Sequence, residues 1–156
     1  AVHLRSNVDR KTMVGVSPET RLPDSAYSPE VSARVYDSLA QFARIGLRAG
    51  HAVIVDAVYL QPREQRMIED VARDCGLPFS GLWLEAETDV LLSRVEERHG
   101  DASDADARVV RMQLTQMPER LDWECIDASG PASETLKQTK AVLGLSDMLR
   151  KTTLTE

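Results

Sequence analysis

The stretch His51–Leu60, HAVIVDAVYL, constrains the fold of this chain more than any other. Ala52 to Val55 is a short apolar run rich in β-branched residues. It follows a helix stop at Ala49-Gly50 and ends in a lone carboxylate, Asp56. A short apolar run bounded by turn signals reads as a fully buried strand of a parallel sheet, here over 52–56. Ligands of open α/β sheets bind beyond the carboxyl ends of the strands, so an acid at this position is placed to meet a metal or a polar substrate. The plainer reading is an Asp that caps the turn after the strand.

The other elements follow from local signals. Ala1–Leu4 reads as the tail of a strand, and Ser6 or Asn7 caps a helix that stops at Gly15. Val16–Tyr27, with Pro18, Pro23, Ser17 and Asp24, reads as a loop long enough to have a function. Ser28-Pro29-Glu30 starts a helix carrying Val31, Val35, Leu39, Phe42, Ile45 and Leu47 and ending at Gly50. Pro62 opens a helix that stops at Cys75-Gly76. Gly81–Glu85 is a further strand, and Thr88 caps the next helix. His99–Asp104 breaks the pattern, Ser103 or Asp104 restarts a helix, and Pro118 ends it. Trp123–Ala128 is a fourth strand, Ser129-Gly130-Pro131 a turn, and Pro131–Leu143 the last helix. Strands alternating with helices imply βαβ units, a parallel sheet and helices on both faces. The expected domain spans 1–143, with a tail over 144–156.

At 156 residues the chain is about one domain long. A formal net charge of -6 argues against a general nucleic-acid or membrane-surface binder, though not against a local basic pocket for phosphate. No run is apolar enough to span a membrane and no secretory signal is visible, which points to a cytoplasmic protein. Cys75 and Cys125 have no metal-ligand spacing, and His3, His51 and His99 sit in three separate segments, so no metal ligand is assigned. There is no Gly-x-Ser-x-Gly elbow to support serine hydrolase chemistry.

Three clusters have the composition of a site. Arg5-Ser6-Asn7-Val8-Asp9-Arg10-Lys11 follows the first strand, where a helix N-terminus with basic neighbours suits an anion. A solvated, charged first turn has the same spacing. Asp56 with Tyr59 forms the second cluster. The third is Arg94-x-x-x-Arg98, followed by Gly-Asp-Ala-Ser-Asp, Arg108 and Arg111. Arg94 and Arg98 share a helix face, so the pair suits a phosphate clamp beside a Gly-containing break. An exposed face with weak pairs to Glu96, Glu97 or Asp101 would look alike.

Together HLRSNVDRK, SPEVSARVYDSLAQFARIGLRAGHAVIVDAVYLQPREQR, GLWLEAETDVLLSRVEERHGDASDADARVVRMQL and WECIDASGP resemble the ATP-binding P-loop kinase-like domain of the AAA_33 type. That domain is found in the C-terminal half of bifunctional aminoglycoside phosphotransferase/ATP-binding proteins. It is similar to gluconate kinases, zeta toxins and the kinase half of polynucleotide kinase. The resemblance implies a three-layer P-loop NTPase-like parallel sheet, ATP and Mg²⁺ as cofactors, and phosphoryl transfer from ATP to a small hydroxylated acceptor. The family's opening strand and its Gly-x-x-x-x-Gly-Lys-Ser/Thr phosphate loop have no counterpart among these residues. The resemblance therefore implies an upstream segment or a partner chain that completes the sheet, and little or no kinase activity for the chain as written.

Residue by residue, the resemblance places Asn7 and Arg10 towards the acceptor. Asp56 would orient the acceptor or a metal-bound water. Arg94, Arg98, Arg108 and Arg111 would belong to a lid over the nucleotide, and Ser129 and Pro131 would lie near the adenine. Asp56, Arg98 and Arg10 are the expected catalytic residues. The family usually has Ser-Asp-x-x-Arg where this chain has Ser6-Asn7-x-x-Arg10. An amide hydrogen-bonds a hydroxyl but cannot take its proton. A degenerate nucleotide-binding or interaction module is thus the alternative. A doubly wound domain of flavodoxin or response-regulator type ranks lower, because Arg5, Asn7 and Arg10 stand where its acidic cluster belongs.

Overall fold

The computed structural model describes residues 1–97, 103–117 and 122–145. The chain is α/β, with four short strands and, among the described residues, six α-helices. It divides into two compact units. One holds Ala1–Phe79 and Glu97–Pro118, the other Ser80–Glu96 and the chain beyond 118.

The first unit begins with β1 (Val2–Arg5), which runs straight into α1 (Ser6–Val14). Gly15 ends α1 in the left-handed region at φ 79°, a geometry that glycine adopts without penalty. The following loop contains a 3-10 turn, Asp24–Tyr27, that the loop reading does not anticipate. α2 (Pro29–Arg48) starts as Ser28-Pro29 predicts: the Ser28 hydroxyl accepts the Val31 N–H at 3.3 Å and Pro29 fills the first turn. β2 (Val53–Asp56) follows, then α3 (Pro62–Asp74), which opens on a capping box between Gln61 and Glu64. α5 (Ala107–Thr115) completes this unit.

β1 and β2 are parallel, with Val2 opposite Val53 and Arg5 opposite Asp56. The α1–loop–α2 segment is their crossover, the connection a parallel pair requires. Alternation along the strands puts Val2, Leu4, Val53 and Val55 on one face and His3, Arg5, Ile54 and Asp56 on the other. The first face meets α2 at Gly46, where an added Cβ would stand 2.9 Å from Val53 Cγ2. Val35 and Leu39 of α2 and Val71 of α3 are almost fully buried and form the centre of the core.

The second face corrects the expectation of a strand buried on both sides: Ile54 is 56% exposed and Asp56 is exposed as well. Among the described residues, helices cover one face of this strand pair and leave the other open. Among the described residues β1 pairs with β2 in the first unit and β3 with β4 in the second.

The second unit contains β3 (Leu82–Glu85), α4 (Thr88–Glu97, up to Glu96), β4 (Glu124–Asp127) and α6 (Ala132–Val142). β3 and β4 are parallel, with Leu82 opposite Glu124 and Glu85 opposite Asp127. Trp83 and Ile126 are buried in it, and the Trp123 indole lies so close to Gly81 that a Cβ there would meet the ring at 2.4 Å. Among the described residues no helix is long and apolar enough to cross a membrane.

Candidate functional site

The carboxyl ends of β1 and β2 lie side by side because the strands are parallel and in register. Arg5 and Asp56 are therefore partners on the open face, and Arg5 Nε donates to Asp56 Oδ2 at 3.3 Å. His3 Nε2 stands 4.0 Å from the same oxygen. Both side chains of the Arg5–Asp56 pair are substantially exposed, so the pair orients the carboxylate more than it stabilises the fold.

Beyond Asp56 the chain turns sharply. Tyr59 adopts φ 49°, the only positive φ outside glycine among the described residues. For a bulky aromatic residue this conformation costs about 1–3 kcal/mol and persists only where its surroundings enforce it. Here the Tyr36 hydroxyl accepts the Tyr59 N–H at 3.2 Å, and Gln65 Nε2 donates to the Tyr59 carbonyl at 2.8 Å. The two tyrosine rings meet at 5.2 Å and 56°. Burial, with Glu64 alongside, pushes the Tyr36 phenol up to about 12. Burial also raises the Tyr59 phenol, so both rings remain neutral hydrogen-bonding groups at physiological pH.

At the start of α1 no side chain caps the helix, and Arg5 enters it in extended geometry. Asn7 is half-buried in the first turn. Arg10 is not a solvated first-turn charge. It is 7% exposed; Nη1 donates to the Ala26 carbonyl at 2.7 Å, Nη2 lies 3.4 Å from Ser32 Oγ, and Cζ sits 4.7 Å from the Tyr27 ring centroid. Burial lowers the pKa of its guanidinium, and Tyr27, Tyr36 and Asp9 oppose that effect. Arginine nevertheless stays charged at neutral pH. Arg10 Nε and Asp9 Oδ2 are buried with no hydrogen-bond partner among the described residues.

Lys11 is more deeply buried still, at 1% exposure. Its Nζ donates to the Pro18 carbonyl at 2.8 Å and to Asp104 Oδ1 at 3.0 Å. Asp104 Oδ2 accepts the Leu22 N–H at 3.0 Å and the Tyr27 hydroxyl at 2.5 Å. Asp104 does not start α5, as the spacing allowed: Asp106 is the cap, accepting the Val109 N–H at 3.0 Å. That releases Asp104 for the loop.

The other expected site residues fall in two places. Arg108 lies on α5 beside Asp24 at 3.5 Å, both exposed, and Arg111 is exposed on the same helix. Arg98 lies outside the described residues. In the second unit Arg94 donates to three successive carbonyls, Ala128 at 2.6 Å, Ser129 at 3.3 Å and Gly130 at 2.7 Å. The Ser129 hydroxyl accepts the Glu87 N–H at 3.1 Å, and Pro131 precedes α6. Arg94, Ser129 and Pro131 thus converge on one loop. Asp104 and the Tyr27, Tyr36 and Lys11 contacts have no signature in spacing. The sequence signals at Asp104 are its place in the Gly-Asp-Ala-Ser-Asp break and its suitability as a helix cap.

The profile of the AAA_33 family, described as an AAA domain, matches residues 1–122. The chain belongs to the AAA_33 family. The chain is 28% identical over 120 residues to uncharacterised proteins of Mycobacterium tuberculosis (strain ATCC 25618 / H37Rv) and Mycobacterium bovis. The match covers 75% of this chain and 24% of each relative, so the chain spans about a quarter of the length of the curated relatives it matches. The fold is similar to that of a gluconokinase from Sinorhizobium meliloti 1021, with a TM-score of 0.60 at 15% identity, over 97% of this chain and 82% of that one. The AAA_33 domain is thus kinase-like in fold.

P-loop kinases typically use ATP and Mg²⁺. The described residues do not by themselves fit that pair. No three His, Cys, Asp or Glu among them gather as a metal site, Lys11 is enclosed by Asp104, and the Arg94 donors face backbone carbonyls. Among the described residues no triphosphate cradle is built.

Proposed function

We propose that this chain forms the acceptor-binding part of an ATP-dependent small-molecule kinase. The observation that carries the reading is the Arg5–Asp56 pair at the joined carboxyl ends of two parallel strands, next to the strained Tyr59. Membership of a P-loop kinase-like family supports it. In this reading Asp56 accepts the hydrogen bond of the acceptor hydroxyl, orients its oxygen and receives its proton. Arg5 holds the carboxylate towards the open face. Asn7 donates or accepts a second hydrogen bond without taking a proton. Arg10 keeps Ala26 and Tyr27 in place beside the acceptor. The exposed Arg108 and Arg111, with Arg98, belong to the lid; Arg94 shapes the 128–131 loop on the nucleotide side. In this reading the kinase domain covers residues 1–143.

The experiment uses the whole polypeptide that carries this domain. Acceptor-dependent ADP formation is measured with Mg-ATP and a panel of polyols, sugar acids and amino alcohols, for the native protein and for Asp56→Asn. A responsive acceptor whose turnover falls a hundredfold or more in Asp56→Asn is the expected result, the scale of a lost general base. Turnover undiminished in Asp56→Asn, or no response to any hydroxyl compound, overturns the reading.

Asn7 and the enclosed Lys11 favour a second reading, a nucleotide-binding or interaction module without catalysis. It predicts binding of a non-hydrolysable ATP analogue with no ADP formation under any acceptor.

A further inference from the structure

We propose that Asp104 is a positioning residue: acting through Tyr27, it fixes where the Arg10 guanidinium stands at the acceptor end of the first unit. The inference rests on the reading of Arg10 as an acceptor-side residue, but the coupling is a property of the chain itself.

One carboxylate gathers three separate positions of the chain, two through side chains and one through its backbone N–H. Oδ1 takes Lys11 of α1, while Oδ2 takes the Leu22 N–H and the Tyr27 hydroxyl, the middle and the end of the loop after α1. A lysine at 1% exposure needs a charged partner, since an unpaired buried ammonium is strongly disfavoured. The loop is therefore held wherever Lys11 and Asp104 meet. Two further pairs join the same segments, Arg21 with Asp106 at 3.4 Å and Arg108 with Asp24 at 3.5 Å. Both are exposed and contribute little. The Lys11–Asp104 pair is the least exposed element of this seam.

From Asp104 the constraint reaches Arg10 in one step. The Tyr27 hydroxyl is bonded to Asp104, and its ring lies against the Arg10 guanidinium. The neighbouring Ala26 carbonyl receives Arg10 Nη1. A cation held against a ring at 4.7 Å and against a carbonyl at 2.7 Å follows that ring and carbonyl when they shift. Arg10 Nε is left as a buried donor without a hydrogen-bond partner among the described residues. A displacement of Tyr27 would change what that donor faces.

The test reads Arg10 directly. In a ¹⁵N spectrum of the arginine side chains, the Tyr27 ring 4.7 Å from Arg10 Cζ should shift the Arg10 Nε–H resonance away from that of a free guanidinium. Tyr27→Phe, which removes only the hydroxyl, and Asp104→Asn are both expected to move this resonance towards the free value. Asp104→Asn should also speed exchange of the Leu22 amide at least tenfold, with the β1 and β2 amides unchanged. Asp24→Asn, which breaks only an exposed pair, should leave the Arg10 resonance in place. An Arg10 resonance unmoved in both Tyr27→Phe and Asp104→Asn overturns the proposal. So does movement accompanied by equal loosening of β1 and β2, the mark of a merely structural anchor. If Asp104→Asn does not fold, Tyr27→Phe decides alone. Failure of the kinase reading would appear as an absent acceptor response while the Arg10 resonance still follows Asp104.

Discussion

Arg5 and Asp56 occupy the last paired positions of β1 and β2, and their side chains meet at 3.3 Å on the open face of the strand pair. The contact is a consequence of register: a one-residue slip would send one of them to the face that packs on α2. Arg5→Ala should therefore change stability by less than about 1 kcal/mol, as for other exposed pairs. It should nonetheless reduce acceptor kcat/KM about tenfold, because the carboxylate loses its orientation. Urea unfolding and acceptor turnover, measured on the same variant, separate the two effects. A large loss of stability with unchanged turnover would assign the pair to the fold.

The elements whose signals are local were legible in the sequence. Ser28-Pro29 and Pro62 start helices where expected, and Gly15 stops one, because capping and backbone geometry depend on adjacent residues. Alternation of strand and helix gave the parallel pairing for the same reason. The Lys11–Asp104 pair joins positions 93 residues apart, and no periodicity records such a contact. Ser103, Asp104 and Asp106 are all capable caps, so only the folded chain shows that Asp106 caps α5 while Asp104 turns to the loop. The positive φ of Tyr59 has no propensity signal either; it is imposed by Tyr36 and Gln65 from two other segments. Ile54 looked like a core residue because hydrophobicity reports what a side chain prefers, not which elements are present to cover it.

Gly46 and Gly81 should respond to alanine in order of how rigid their neighbour is. At Gly46 the new Cβ would approach Val53 Cγ2 at 2.9 Å. Alanine would gain about 1 kcal/mol of helix propensity. Overpacking against a stiff β-branched side chain costs about 1–3 kcal/mol, so the net effect is a small loss. At Gly81 the clash is with the Trp123 ring at 2.4 Å, and no helix term offsets it. Gly81→Ala should be the more damaging and should alter tryptophan fluorescence, whereas Gly46→Ala should not. Urea midpoints in the reverse order would mean that the Trp123 side of the second unit yields more easily than the Gly46 contact.

Asn7→Asp tests whether the amide is what limits catalysis. It places a carboxylate in the first turn of α1, where the uncapped N–H groups and the helix dipole favour negative charge. The variant should be at least as stable as the native chain, by a few tenths of a kcal/mol to about 1 kcal/mol. In the whole polypeptide, acceptor-dependent ADP formation should appear or rise tenfold or more as a second carboxylate, able to share the proton with Asp56, is placed beside the hydroxyl. Raised stability without any gain in turnover would show that Asp56 alone serves the acceptor, or that the module is not catalytic.

Asp104 predicts how stability depends on pH. Partial burial works against its ionised form, yet the bonds from Tyr27, the Leu22 N–H and Lys11 hold its carboxyl below the ordinary value of 3.8. The groups that face it are Lys11 from α1 and Tyr27 from the loop, with Arg21 and Asp106 paired nearby; burial and the Asp104 bond raise the Tyr27 phenol, so it stays protonated and donating. A folded pKa below the unfolded one means that the folded state binds fewer protons between the two values. The stabilisation is therefore complete above the unfolded pKa and is lost as pH falls through the folded one. The urea midpoint should be flat with respect to this group above about pH 5 and decline below about pH 4, the window set by that ordinary carboxylate pKa. Asp104→Asn removes the titrating group, so its midpoint should be lower at neutral pH and should approach that of the native chain as the pH falls. Parallel curves for the two proteins across that window would show that Asp104 is not tied more tightly in the folded state than in the unfolded one.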